Sequence, residues 1–175
     1  PHESASMAVL IQEVVPAEYA FVVHTVNPAT GNRHELYVEI VQGLGETLVG
    51  NYPGRAMSFV VDKASRQVTV TAYPSKSVAL RGGGLIFRSD SNAEDLEGYA
   101  GAGLYDSVLL EPAREERVDT TQDPLVWDAA FRQRFVRDIA ETGIAVEKAF
   151  GAPQDIEGAF ANGELHVVQT RPQVG

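Results

Sequence analysis

Apolar residues run almost without interruption from Met7 to Val15 and again from Tyr19 to Val26, with the turn-like Pro16-Ala17-Glu18 between them. This pattern predicts two strands. After the turn cluster Asn27-Pro28-Ala29-Thr30-Gly31-Asn32, residues Leu36, Val38 and Ile40 alternate with polar neighbours across Glu35 to Val41, the period of a half-buried strand. Gly43 to Gly50 reads as a loop, a short helix and a loop, closed by the turn Asn51-Tyr52-Pro53-Gly54-Arg55. Further strands are predicted at Met57 to Asp62 and Gln67 to Ala72. A polar connection follows from Pro74 to Gly84, then a short buried strand at Leu85-Ile86-Phe87-Arg88. Glu111 to Thr121 carries many charges and no period, so residues 111–127 are expected to form a surface loop.

Between Asp128 and Phe150 the apolar residues Phe131, Phe135, Ile139, Val146 and Phe150 recur at multiples of three to four, the stripe of one helical face. Asp128 is placed to cap its start, and Gly151 and Pro153 to stop it. Asp155 to Arg171 then reads as two strands around Asn162-Gly163, a strong hairpin signal. Strands that mostly adjoin through turns, with one long helix, predict an α+β fold with a mixed, mainly antiparallel sheet and a C-terminal hairpin.

The chain has 175 residues, 44% of them hydrophobic, enough for one sizeable core or for two small lobes. Its net charge of −10 argues against a nucleic-acid surface, which needs clustered Lys and Arg. The absence of cysteine excludes disulfides, thiolate nucleophiles and zinc-thiolate sites. No apolar run reaches the length of a membrane-spanning helix. An acidic protein can still hold a nucleotide through a few placed cations, backbone amides and a divalent metal.

The terminal hairpin concentrates the candidate chemistry. Asp155 and Glu157 lie on its first strand, Gln169 and Arg171 on its second, all away from the turn. A carboxylate and an amide oxygen suit Mg²⁺, so Glu157 and Gln169 are the metal candidates, and Arg171 can fork onto a phosphate. Pro172 ends strand pairing beside it. The register is open. A two-residue Asn162-Gly163 turn sets Glu157 opposite Val168, whereas a three-residue loop sets it opposite Gln169, and only the latter puts both side chains on one face. Apolar alternation through Ile156, Phe160, Leu165 and Val167 favours the first register. Metal chemistry favours the second, or a bulge that restores it.

Elsewhere, Gly43 to Gly50 is glycine-rich without being a Walker loop, and Glu46 is a candidate for a ribose hydroxyl or for helix capping. In Phe87-Arg88-Ser89-Asp90-Ser91-Asn92-Ala93-Glu94-Asp95-Leu96, Arg88 is a candidate phosphate contact, with Ser91 or Asn92 as helix caps. The calcium-loop reading from Asp90 fails, because Asp95 stands where a glycine is needed and Gly101 where Glu is needed. Gly98, Gly101 and Gly103 point to close backbone approach or a flap. His2, His24, His34 and His166 lack the setting of a phosphoryl-accepting nucleophile and are read as structural. Thr25 and Asn27, at the end of the second strand, are candidate phosphate contacts.

Together these pieces resemble the ATP-grasp nucleotide-binding domain of the pyruvate phosphate dikinase and phosphoenolpyruvate synthase superfamily. The stretches that carry the resemblance are Val9-Leu10-Ile11-Gln12, His24-Thr25-Val26-Asn27-Pro28, Gly43-Leu44-Gly45-Glu46, Asp155-Ile156-Glu157 and Val168-Gln169-Thr170-Arg171-Pro172. Met7 to Glu13, Gly50 to Ala56, Phe87 to Asp95 and Gly98 to Ser107 are similar to the α-glucan, water dikinases within that superfamily.

The resemblance covers nearly all of residues 1–175 and implies a partial ATP-grasp domain of a kinase that uses ATP and Mg²⁺. It implies that the β-phosphate of ATP passes through an enzyme histidine, outside this sequence, to an α-glucan such as starch, and the γ-phosphate to water. It further implies Mg²⁺ held by Glu157 and Gln169, charge neutralisation by Arg171, a hinge at Gln12, Glu13 and Val15 against adenine, and Glu46 near the ribose. Further domains upstream would complete the site. The implied compartment is the plastid, with any transit peptide outside this sequence. Two other functions fit the residues. One is a carbohydrate-binding or interaction module using tyrosines and Trp127, and the other is a grasp-type phosphotransferase with a small-molecule acceptor.

Overall fold

A computed structural model of the chain describes residues 7–50, 52–91 and 107–173. The chain forms two compact units, one of Pro1–Val15 with Gly82–Arg114 and the other of Pro16–Arg81 with Glu115–Gly175. The expected α+β architecture, mainly antiparallel with one long helix, is what the chain adopts.

The first unit holds β1 (Met7–Glu13), β7 (Leu85–Ser91) and β8 (Ser107–Leu109) in an antiparallel sheet of order β1-β7-β8. The pairing sets Leu10 opposite Arg88 and Gln12 opposite Ile86. The strand at Leu85 is half-buried rather than buried, with Leu85 37% exposed. The readings placed on Asn92 to Asp95 and on Gly98 to Gly103 lie outside the described residues.

In the second unit, β2 (Tyr19–His24), β3 (Glu35–Gln42), β4 (Met57–Asp62), β5 (Val68–Ala72), β10 (Gln154–Ala161) and β11 (Glu164–Pro172) form a six-stranded antiparallel sheet. Their order is β11-β10-β2-β3-β4-β5. Strict alternation sends Phe21, Val23, Leu36, Val38, Phe59, Val61 and Ile156 to one face, where they pack on Phe135, Val136, Ile139 and Ala140 of α3 (Ala129–Phe150). This is the main core. Burying a side chain of this size is worth about 1.5–3 kcal/mol.

The helix is bounded as its sequence predicts. The Asp128 side chain accepts the Phe131 N–H at 2.9 Å, and Gly151 ends the helix in the left-handed region at φ 69°. Phe150 departs from the predicted apolar stripe. It is 63% exposed, because packing on the core reaches only as far as Val146 and the last residues of the helix, Lys148 to Phe150, are exposed.

The far end of the opposite face is covered by α1 (Glu46–Val49), where Leu48 packs on Ala20, Val41 and Ala56. Two stretches expected to be irregular carry elements of their own. Val78–Arg81 (β6) pairs with Arg114–Arg117 (β9) and buries Ala79 and Leu80. The segment 111–127 is thus not a plain loop. After β9 come a 3-10 turn at Thr120–Gln122 and α2 (Pro124–Trp127), each started by an aspartate cap, Asp119 and Asp123.

Candidate functional site

The hairpin makes a two-residue turn at Asn162-Gly163, with φ of 53° and 83°, and Ala161 pairs with Glu164. That register alone would turn Gln169 and Arg171 toward the helix-covered face. Instead the ladder shifts between Glu157 and Gly158. Gly158 pairs with Val167, Glu157 with Gln169, and Val168 is the extra residue of a β-bulge. Both competing signals are therefore satisfied. Leu165 keeps the inward phase before the bulge, and Gln169 and Arg171 take the outward phase after it. Gly158 permits the close packing here, since a Cβ on it would meet the Phe21 ring at 2.2 Å and the His166 carbonyl oxygen at 2.8 Å.

The register creates two polar rows on the sheet face opposite α3. In one, Arg171, Asp155, His24 and Tyr37 follow one another across β11, β10, β2 and β3. Asp155 divides its carboxylate. One oxygen lies 2.5 Å from His24 Nδ1 and the other 3.5 Å from Arg171 Nε. Burial pushes the Asp155 carboxyl up, but the His24 hydrogen bond, with the charges of His24 and Arg171, outweighs it and holds the group below the usual carboxylate range. An ionised carboxylate only accepts, so His24 Nδ1 carries the proton in this contact.

In the second row, Gln169 lies opposite Glu157, and Val22, Glu39 and Ser58 continue across the sheet. Glu39 is occupied as acceptor from Tyr37 Oη at 3.3 Å and Ser58 Oγ at 3.2 Å. Glu157 is exposed. Cross-strand partners have Cβ atoms about 4.5–5.5 Å apart, close enough for a carboxylate and an amide oxygen to share one hard cation. Among the described residues no group of three or more His, Asp or Glu side chains could hold a metal. A Mg²⁺ held by this pair would draw its other oxygens from phosphates and water.

The remaining predicted residues are distributed as follows. Gln12, Glu13, Val15 and Arg88 belong to the first unit and Glu46 to the second, where Glu46 is the first residue of α1. The capping alternative for Glu46 does not hold, because Gly45 is the cap position and no side chain caps it. Thr25 and Asn27 do not fit as direct phosphate contacts. Thr25 is fully buried on the helix side, where its hydroxyl accepts the Gln154 N–H at 2.8 Å. Asn27 is 4% exposed and is spent on Glu35 Oε2 and the Ala29 N–H.

Two supports escaped the sequence reading. Gln154, itself buried, accepts from Thr170 Oγ1 at 2.9 Å beneath the rows. Gln173 grips the backbone of Val26 through both ends of its amide, at 3.0 and 2.8 Å, and so holds the chain just after Arg171-Pro172. The polar character of Gln154, Thr170 and Gln173 was the only available signal.

Residues 1–84 match the family described as pyruvate phosphate dikinase, AMP/ATP-binding domain. Over 175 residues, 99% of the chain, the sequence is 55% identical to alpha-glucan water dikinase 2 of Arabidopsis thaliana. The chain is similar over nearly its whole length to the α-glucan water dikinases. The chloroplastic α-glucan water dikinase of Solanum tuberosum is 53% identical over the same length. The likeness to phosphoenolpyruvate synthase of Aeropyrum pernix is more distant, 32% identity over 91% of the chain. The chain spans only 14% and 12% of the length of the two α-glucan water dikinases. Similarity to these dikinases runs through both units and includes the hairpin that carries the polar rows. No helix among the described residues is long and apolar enough to cross a membrane.

Proposed function

We propose that this chain is the ATP-binding part of a dikinase that phosphorylates an α-glucan. The observation that carries the proposal is the bulge at Val168, which brings Glu157 and Gln169 into one cross-strand pair and Asp155 and Arg171 into the next, all on the face opposite α3. A cation-binding oxygen pair beside an anion-binding arginine is the arrangement a Mg-nucleotide triphosphate needs.

In this reading ATP gives up two phosphoryl groups. The bond between the α- and β-phosphates breaks as a histidine nitrogen outside this chain takes the β-phosphate, which then passes to a glucosyl hydroxyl. The bond between the β- and γ-phosphates breaks with transfer of the γ-phosphate to water, and AMP is left.

Bound Mg²⁺ would supply neutralisation of the β- and γ-oxygens. Glu157 and Gln169 hold the metal's protein side, and Arg171 presents its two terminal nitrogens to the phosphates where charge builds up. By resemblance, Gln12, Glu13 and Val15 are the candidates for the adenine hinge, Arg88 for a phosphate contact and Glu46 for the ribose. Thr25 and Asn27 support the strand end from within. The compartment is the plastid, in keeping with the chloroplastic relative.

The test uses the protein that carries this chain, incubated with an α-glucan and ATP labelled separately at the β- and γ-positions. The expected result is β-label in the glucan and γ-label in orthophosphate. γ-Label in the glucan would identify an ordinary kinase and overturn the proposal. Glucan retention without transfer of either label would favour a carbohydrate-binding module.

A further inference from the structure

We propose that His24 is a positioning residue for Arg171, acting through Asp155. This rests on the reading of Arg171 as the phosphate-binding arginine.

A carboxylate next to a single arginine can turn about its own axis and can chelate the guanidinium with both oxygens, which would occupy the donors a phosphate needs. His24 removes that freedom. Its Nδ1 takes one oxygen of Asp155 at 2.5 Å, so only the other faces Arg171, and it does so at Nε, 3.5 Å away. Anchoring at Nε leaves the two terminal nitrogens of the guanidinium as an outward fork, the edge that pairs with a phosphate in two parallel hydrogen bonds.

The histidine ring is itself fixed. It lies between Asp155 on β10 and the Tyr37 ring on β3, whose centroid is 6.2 Å away at a tilt of 33°. The side-chain bond is not required to join β2 to β10, since backbone pairing already runs from Asp155↔His24 to Phe160↔Tyr19. The gradient of exposure follows the same logic. His24 and Asp155 are 25% and 19% exposed and Arg171 is 57% exposed, so two sheltered groups hold one that faces solvent.

The experiment reads the Arg171 side chain directly. The Nε–H resonance of Arg171 is followed by ¹⁵N NMR in the protein carrying this chain, as wild type and as His24→Ala, His24→Phe, His24→Asn and Asp155→Asn. Phenylalanine fills the ring's space without a donor, which provides a second test should alanine disturb the fold. Asparagine places an N–H donor where Nδ1 stands.

Exchange of the Arg171 Nε proton with water should rise about twofold in His24→Ala and His24→Phe, the factor a partly exposed ion pair of this kind represents. Asp155→Asn should do the same, and His24→Asn should bring the rate back toward wild type. Unchanged exchange in a folded His24→Phe protein, or no recovery with asparagine, overturns the proposal. The dissociation constant for Mg-ATP is measured on the same samples. If Arg171→Ala leaves it unaltered, the phosphate role of Arg171 fails. The NMR comparison still decides whether His24 positions the arginine.

Discussion

Replacing Thr25 by valine separates a structural hydroxyl from a ligand hydroxyl. The two side chains have nearly the same shape, so the substitution creates no cavity and removes only the oxygen. In the folded chain that oxygen accepts the N–H of Gln154 at 2.8 Å, between residues 0% and 1% exposed. Without it a buried donor has no partner, and no water reaches it.

Leaving such a group unsatisfied costs about 1–3 kcal/mol. With a urea dependence near 2 kcal/mol/M, typical of a small domain, the midpoint of unfolding should fall by about 1 M with the slope unchanged. Urea titration followed by circular dichroism measures the stability, and calorimetry with Mg-ATP measures binding on the same protein. A midpoint equal to wild type, together with weakened Mg-ATP binding, would refute the assignment and return Thr25 to the phosphate contacts.

Two further perturbations probe the hairpin. Gly158→Ala puts a methyl between the Phe21 ring and the His166 carbonyl oxygen, at 2.2 and 2.8 Å, and overpacking of this kind costs about 1–3 kcal/mol. Thermal unfolding should show the loss, and an unchanged transition would mean that the bulge yields freely. Asp155 has a folded-state value below its ordinary 3.8, so the stability it adds is present above its unfolded value and disappears as pH falls through the folded one. Asp155→Asn should therefore flatten the acid limb of a stability-versus-pH curve. An acid limb identical to wild type would show that the contacts with His24 and Arg171 add no acid-sensitive stability.

Much of this architecture is legible in the sequence, for reasons that differ by element. β3 is announced by the alternation of Leu36, Val38 and Ile40, because one of its faces is buried under α3. The helix is announced by period and by Asp128, and the hairpin turn by Asn162-Gly163, where both residues must adopt positive φ. The register was open, because the apolar phase of Leu165 and Val167 and the polar phase of Gln169 and Arg171 disagree by one residue. A bulge resolves such a conflict, but it is a backbone event with no composition of its own.

β9 could not be read from Arg114-Glu115-Glu116-Arg117, which has no apolar residue; its strand pairing with β6 and the Arg81–Glu116 ion pair at 2.9 Å depend on a partner far along the chain. The same limit hid the His24–Asp155 contact. These residues stand 131 positions apart and meet only because β2 pairs with β10. Polar residue types marked where chemistry could occur, and sheet topology decided which of them could act together.

The central claim is that the Glu157–Gln169 pair and its neighbour Arg171 bind a magnesium nucleotide. Isothermal titration of the protein carrying this chain with ATP, in the presence of Mg²⁺ and again with the metal chelated, tests it most directly. The account predicts Mg²⁺-dependent binding that Glu157→Ala makes metal-independent, and that Arg171→Ala weakens with or without metal. Nucleotide affinity that responds to neither substitution, in proteins with wild-type unfolding transitions, would contradict it.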